Sequence, residues 1–307
     1  MDDLPVLQSA GPLSTTTDEL ASAAGYARQS MSAATVRAYR TDLKDFVAWC
    51  GPRELSPMPA EPATVAAYLA ALADSGLKAS TITRRAAALT SAHRSGGFPP
   101  PTASEPVKAV LKGIRRAIGV AATAKSPATA RPLARMIAKC PDTVRGKRDR
   151  AILLIGFAAA LRRSELAALS VEDIERTPDG IIVHIRRSKT DQEGLGQSVA
   201  VPNGIKLRPV EALDRWLEAS GRTTGSLFGV CDRTVALVVK RYAKKARLNP
   251  SLFAGHSLRA GFVTSALESG ADLLKVMDVT RHTEVKTLKA YDRRAKAFRN
   301  HAGKSFL

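Results

Sequence analysis

The sequence predicts a mainly α protein: an N-terminal helical bundle over residues 14–118, then an α+β domain over 131–307 with a small antiparallel sheet. Three observations carry this. Apolar residues recur every three to four positions through most of the chain, the spacing of amphipathic helices. Residues 119–130 break that spacing with Gly, Ala, Thr, Ser and Pro and read as an interdomain linker. Two short runs, Ile181–Ile185 and Ser198–Pro202, flank a polar loop and read as paired strands.

In chain order, residues 1–13 are acidic, contain Pro5, Gly11 and Pro12, and read as a disordered N-terminus. Ser32 is placed to cap a helix carrying Val36, Tyr39, Leu43, Phe46 and Val47 on one stripe. Pro62 suits the first turn of a second, with Val65, Tyr68, Leu69 and Leu72 inward and Gly76 beyond its end. Ser80 is the expected cap of a third, which runs to the Ser95-Gly96-Gly97 break. After Pro99-Pro100-Pro101 a fourth carries Val107, Val110, Leu111 and Ile114. No strand is expected in 14–118. Beyond the linker, helices are expected near 131–139, 147–160, 207–219, 232–246, 256–268 and 271–279, with a last one from Thr283. Asp179-Gly180 makes a turn before the first strand of the hairpin.

A length of 307 residues and a hydrophobic fraction of 45% suit about two domains with real cores. Aromatic residues are only 5%, which argues against stacking platforms for single-stranded nucleic acid. The formal net charge is +19 and it is uneven. Residues 1–120 hold 13 Lys and Arg against 10 Asp and Glu, whereas 121–307 hold 34 against 18. A strongly basic second half points to a polyanionic partner bound through phosphate contacts. Cys50, Cys140 and Cys231 are scattered, odd in number and form no C-x-x-C pair, which argues against a disulfide framework and against a zinc site and suits a reducing cytoplasm. The acidic start, Met1-Asp2-Asp3-Leu4-Pro5, is no signal peptide, and no apolar run is long enough to span a membrane.

Chemistry concentrates in six residues of the second half. Arg162 lies in Ala160-Leu161-Arg162-Arg163-Ser164-Glu165-Leu166, just after the apolar run 152–157. A guanidinium fixed at the end of a buried helix can grip a phosphate through two bonds, and Glu165 can hold a neighbouring cation in place. His256 and Arg259 sit three apart at the opening of an apolar helix, on one face, near a helix N-terminus that favours anions. Lys189 lies at the tip of the expected hairpin, where a flexible amine can enter a DNA groove and protonate a leaving oxygen. His282 precedes the last expected helix, and Tyr291 follows nine positions later in basic surroundings that would stabilise a phenolate. Taken alone, each is also an ordinary surface feature: an Arg pair beside a helix-start Glu, a capped helix, a basic turn, a tyrosine closing a helix.

Together, in this order and spacing, they resemble the tyrosine recombinases, the phage integrase family, in its two-domain form. Ala-Leu-Arg-Arg-Ser-Glu-Leu (160–166), His-Ser-Leu-Arg-Ala-Gly-Phe (256–262) and the interval from His282 to Tyr291 carry the likeness, which spans nearly the whole chain. The resemblance implies a SAM-like core-binding domain at 14–118 and a catalytic domain at 131–307. It implies that Tyr291 attacks the scissile phosphate, that Arg162 and Arg259 clamp its non-bridging oxygens, that His256 assists proton transfer, that His282 hydrogen-bonds the phosphate and that Lys189 is the general acid. Glu165 would support the arginines. No metal, ATP or other cofactor is implied. The implied partner is double-stranded DNA held in a C-shaped clamp, with four protomers assembling on two sites and accessory DNA-bending or directionality proteins as further partners. No membrane is involved, and a cytoplasmic, nucleoid-associated location follows. The basic tail, 292–307, would dock on a neighbouring protomer. Two positions depart from the family pattern: Ala160 and Arg281 stand where glycine is usual, and Arg281 is expected to add bulk and charge at the pocket rim. A type IB topoisomerase and a non-catalytic DNA-binding protein on the same fold are the alternatives, and Tyr242 is the next candidate nucleophile.

Overall fold

The computed structural model describes residues 30–120, 125–186 and 196–282, together with Glu19, Ser22, Tyr26, Glu284, Val285 and Leu288. The chain divides into two compact units, Met1–Ala122 and Thr123–Leu307.

Among the described residues of the first unit, α1 (Ala33–Cys50), α2 (Pro62–Asp74), α3 (Ala79–Ser95) and α4 (Glu105–Ile118) enclose one core. No strand occurs among its described residues. Ser32 caps α1 by accepting from the Thr35 N–H at 3.2 Å, and Pro62 opens α2. Ser80 is not a cap. The extended residue before α3 is Lys78, so Ser80 falls inside the first turn. Phe46, Tyr68, Leu69, Ile82, Leu89 and Val107 fill the interior, each at most 2% exposed. The buried charged or ionisable groups Asp42 and His93 are matched. Asp42 pairs with Arg84 and Arg85, and His93 accepts from the Ala60 N–H while donating to the Leu89 carbonyl.

In the second unit α5 (Ala130–Ile137) and α6 (Val144–Ala158) are followed by a short α7 (Arg163–Ala168). A three-stranded antiparallel sheet comes next: β1 (Ile174–Thr177), β2 (Gly180–Ile185) and β3 (Gln197–Pro202), with β2 central. Val183 pairs with Ile174 on one side and Val199 on the other. The expected hairpin is therefore present, and β1 is an additional strand. Its sequence, Ile-Glu-Arg-Thr, has a single apolar residue and no strand signal of its own; pairing with β2 across the two-residue turn at Pro178-Asp179 makes it one. The sheet leads into α8 (Pro209–Ser220), α9 (Asp232–Lys245), α10 (Ser257–Glu268) and α11 (Leu273–Thr280).

The core of this unit centres on α6, whose residues 151–157 are all buried. An apolar run on every side of a helix is what a central helix requires. Residues 125–130, read from composition as the end of a linker, are strapped to the second unit. Ser126 N–H donates to the Leu252 carbonyl, Ala128 N–H to the Ser257 carbonyl and Ala130 N–H to the Ser265 hydroxyl, at 2.7, 2.8 and 2.9 Å. The strap passes so close to α10 that a Cβ on Gly261 would lie 2.0 Å from the Ala128 carbonyl oxygen, so only glycine fits there.

Candidate active site

The site is assembled by two helix endings and one helix opening. At the first ending, α6 stops at Ala158 and the chain reverses through Ala160, which is left-handed at φ +47°. The Leu161 N–H reaches back to the Gly156 carbonyl and the Ala160 N–H to the Phe157 carbonyl, a pattern in which glycine is the usual reversing residue. An L-residue there costs roughly 1–2 kcal/mol. The reversal places Arg162 at the start of α7, where its backbone N–H and its guanidinium donate to the two oxygens of Glu165 at 2.9 and 2.6 Å. Glu165 is 4% exposed, so this is a buried carboxylate with its charge matched.

The second ending repeats the first. At the end of α11, Arg281 is left-handed at φ +55°, and the His282 N–H reaches back to the Met277 carbonyl. The two positions where glycine is usual in the resembling family are thus the two left-handed reversals that deliver Arg162 and His282. Arg281 is not at a pocket rim. It is 8% exposed; its guanidinium donates to Glu165 at 2.8 Å and to the carbonyls of Ala159 and Val279, both at 3.3 Å. Glu165 and the Ala159 carbonyl give the charged end partners in the interior, which draws it inward.

The opening is that of α10. His256 is the residue before the helix and is exposed, whereas Arg259, one turn on, is 1% exposed. The Arg259 guanidinium donates to the Ala160 carbonyl at 2.8 Å and to His282 Nε2 at 3.3 Å. His282 Nδ1 lies 2.7 Å from the Thr280 hydroxyl, which itself donates to the Val276 carbonyl. Because an arginine can only donate, Nε2 accepts and the proton of the neutral ring sits on Nδ1. Gly156 lets this corner close, since a Cβ there would come within 2.7 Å of Leu166 and 2.9 Å of Leu258.

Arg162, His256, Arg259 and His282 therefore share one location, with Glu165 bound to Arg162. Electrostatics agree. Burial, then Arg259, Arg162, His256 and Arg281, pushes the His282 pKa down to about 4. His256 is also held below its ordinary value, by desolvation from the surrounding protein despite its exposed ring and then by Arg259 and Arg162. Both imidazoles are neutral at pH 7 in a strongly positive setting, which suits an anion. Lys189, Tyr291 and the tail 292–307 lie outside the described residues. The root of the hairpin arm that leads toward Lys189 is tied by Arg186 to the buried Asp173 at 2.6 Å. Tyr242 is not a nucleophile in waiting: it is 2% exposed, its hydroxyl donates to Asp149 at 3.2 Å, and burial raises its pKa. Sequence reasoning missed the structural part of Arg281. The only signal for it was an arginine at a position where a helix must reverse.

Residues 129–297 match the phage integrase family and residues 26–95 match the phage integrase N-terminal SAM-like domain. A xerD homolog of Selenomonas ruminantium, described as an integrase/recombinase, is 36% identical over 287 residues, covering 87% of this chain and 84% of that protein. The recombinase cre of Escherichia phage P1 is 27% identical over 304 residues, covering 87% and 85%. Among solved structures, the XerH site-specific recombinase bound to a palindromic difH substrate superposes with a TM-score of 0.65 at 16% identity, covering 92% of this chain and 82% of that one. A lambda integrase dimer bound to a COC′ core site gives 0.61 at 18%, covering 85% and 89%. The matched motifs, the architecture and these relatives agree: the chain is a tyrosine recombinase belonging to the phage integrase family.

Proposed function

We propose that this tyrosine recombinase cuts and rejoins duplex DNA at specific sites through a covalent intermediate on Tyr291. The tyrosine oxygen attacks the scissile phosphorus, the bond to the 5′-oxygen breaks, and a 3′-phosphotyrosine and a 5′-hydroxyl result. Lys189 supplies the proton to the departing oxygen, and His256 takes part in moving the proton of Tyr291. A 5′-hydroxyl from another strand then reverses the chemistry and releases the tyrosine, so the phosphoester energy is conserved and no net hydrolysis occurs. Relatives named as recombinases, together with a structural neighbour, a transposon integrase solved in complex with transposon right end DNA, support duplex DNA as the substrate.

The observation that carries this reading is the shared location of Arg162, Arg259, His256 and His282, drawn from three separate elements of the fold. Arg162 and Arg259 neutralise charge on the non-bridging oxygens, and their gain grows as the five-coordinate transition state develops. His282 requires one adjustment. Its Nε2 now accepts from Arg259, so bonding a phosphate oxygen needs the proton on Nε2, reached by a change of tautomer or by protonation once the anion has entered. An arriving phosphate favours both, because it takes the Arg259 donor for itself.

Assembly on DNA is part of the proposal: four protomers bring two sites together, and the tail 292–307 docks on a neighbour. The test uses a duplex selected from a random-sequence pool by covalent capture on the wild-type chain. Two marked copies of that duplex should exchange strands. Supercoil relaxation without any exchange would instead assign the chemistry to a topoisomerase.

A further inference from the structure

We propose that Arg281 is a positioning residue of the cleavage site, acting through Glu165 to keep Arg162 available to the phosphate and through its own backbone to seat His282. The inference rests on the reading that Arg162, Arg259 and His282 receive the scissile phosphate.

Glu165 has two oxygens and more than two donors around it. Oε1 takes the Arg162 guanidinium, while Oε2 takes both the Arg162 backbone N–H and the Arg281 guanidinium. Arginine and carboxylate pair most strongly as a two-pronged fork. With Oε2 engaged by Arg281, Glu165 holds the Arg162 side chain through Oε1 and does not close that fork. The carboxylate thus orients the Arg162 guanidinium through a single oxygen. Remove Arg281, and Oε2 keeps only the Arg162 backbone N–H, so its second acceptor site opens to the Arg162 guanidinium and competes with the phosphate for the same donors.

The second part of the role is geometric. Arg281 Nη1 donates to the Ala159 carbonyl, and Arg259 donates to the carbonyl of the next residue, Ala160. Two guanidiniums therefore hold consecutive carbonyls of the reversal that delivers Arg162. Arg281 is also the left-handed residue immediately before His282, so its backbone sets where that imidazole meets Arg259. One side chain links the α6 reversal, the start of α7 and the end of α11.

The arrangement is poor as a device for stability alone. It buries a cation close to Arg162, keeps a bulky residue at positive φ and leaves Arg281 Nε buried without a hydrogen-bond partner. Local conflicts of this kind gather where function demands a geometry.

The experiment is single-turnover cleavage by the full chain on a nicked suicide duplex, selected by covalent capture on wild type. With protein in excess over the duplex, the rate constant at saturation is independent of the fraction of protein that is folded, whereas the half-saturating total concentration rises as that fraction falls. Arg281→Gln is expected to lower the rate constant at saturating protein by about tenfold or more, as displaced catalytic groups do. The half-saturating concentration should stay within about twofold of wild type, because DNA affinity is dominated by phosphate contacts spread along the duplex. Arg281→Lys, which can still occupy Glu165 Oε2, should recover most of the rate. The double variant Arg281→Gln with Glu165→Gln should be no slower than the slower single variant, since both act on one contact. A rate constant at saturation equal to that of wild type, with any change confined to the half-saturating concentration, or effects of the two variants that multiply, would overturn the proposal. Arg162→Ala separates the two layers of inference. If it cleaves like wild type, the phosphate-site reading itself fails; if it is impaired while Arg281→Gln is normal, only the role of Arg281 fails.

Discussion

Gly261 offers a calculation in which two effects oppose each other. It lies inside α10, where replacing glycine by alanine ordinarily stabilises a helix by about 1 kcal/mol. Here the added Cβ would sit 2.0 Å from the Ala128 oxygen and 2.3 Å from its carbonyl carbon, closer than any real contact. The strap at 125–130 must move, and three of its backbone N–H groups, those of Ser126, Ala128 and Ala130, hold it by hydrogen bonds. At about 1 kcal/mol each, losing them costs about 3 kcal/mol. Gly261→Ala should therefore destabilise α10 by about 2 kcal/mol net. Gly113, inside α4, provides the contrast: a Cβ there meets nothing within 4 Å, so Gly113→Ala should stabilise its helix by about 0.5–1 kcal/mol. Native-state hydrogen exchange reads each helix separately in the intact chain. Equal stabilisation at both positions would refute the claim that the strap is pinned against α10.

Further outcomes are expected. Asp149 is fully buried and matched by Arg148, Arg241 and the Tyr242 hydroxyl, so Asp149→Asn should cost the second unit about 3 kcal/mol, read by urea unfolding; a change under about 0.5 kcal/mol would contradict the buried pairing. His282 titrates near 4 in the folded chain and near 6.5 when unfolded, so the unfolded state binds more protons between those values and stability falls as the pH drops through that window. After allowance for its partial exposure, this amounts to roughly 1–2 kcal/mol, and it should shrink in His282→Asn; identical pH slopes for the two proteins would be inconsistent with it. Removing residues 295–307 should weaken joint binding of two duplexes more than binding of one, as read by sedimentation; strand exchange at the normal rate by the truncated chain would exclude docking of the tail.

Much of the fold was legible because its signals are local. The run 152–157 announces a buried helix and stops just before Arg162, so the position of that arginine at a helix end follows from the sequence. His256 and Arg259 open an apolar helix as their spacing suggests, and the β-branched runs pair as expected. What escaped depends on partners far along the chain. β1 is a strand because β2 lies beside it. The positive φ at Ala160 and Arg281 has no signature in these residues themselves, since neither is glycine; only the glycine usual at both positions in the resembling family hints at it. The burial of Arg281 follows from Glu165, 116 positions away, and no spacing rule reaches that far. Ser80 was misread because several residues near a helix start can serve as caps and backbone geometry decides among them.

The central claim is that a phenolic oxygen at position 291 becomes joined to DNA. The direct measurement is covalent capture on a nicked suicide duplex, followed by peptide mapping of the nucleotide-bearing fragment and repetition with Tyr291→Phe. The account predicts a single adduct, on Tyr291, that the substitution abolishes while duplex binding persists. An adduct on any other residue, or one that survives Tyr291→Phe, would contradict it.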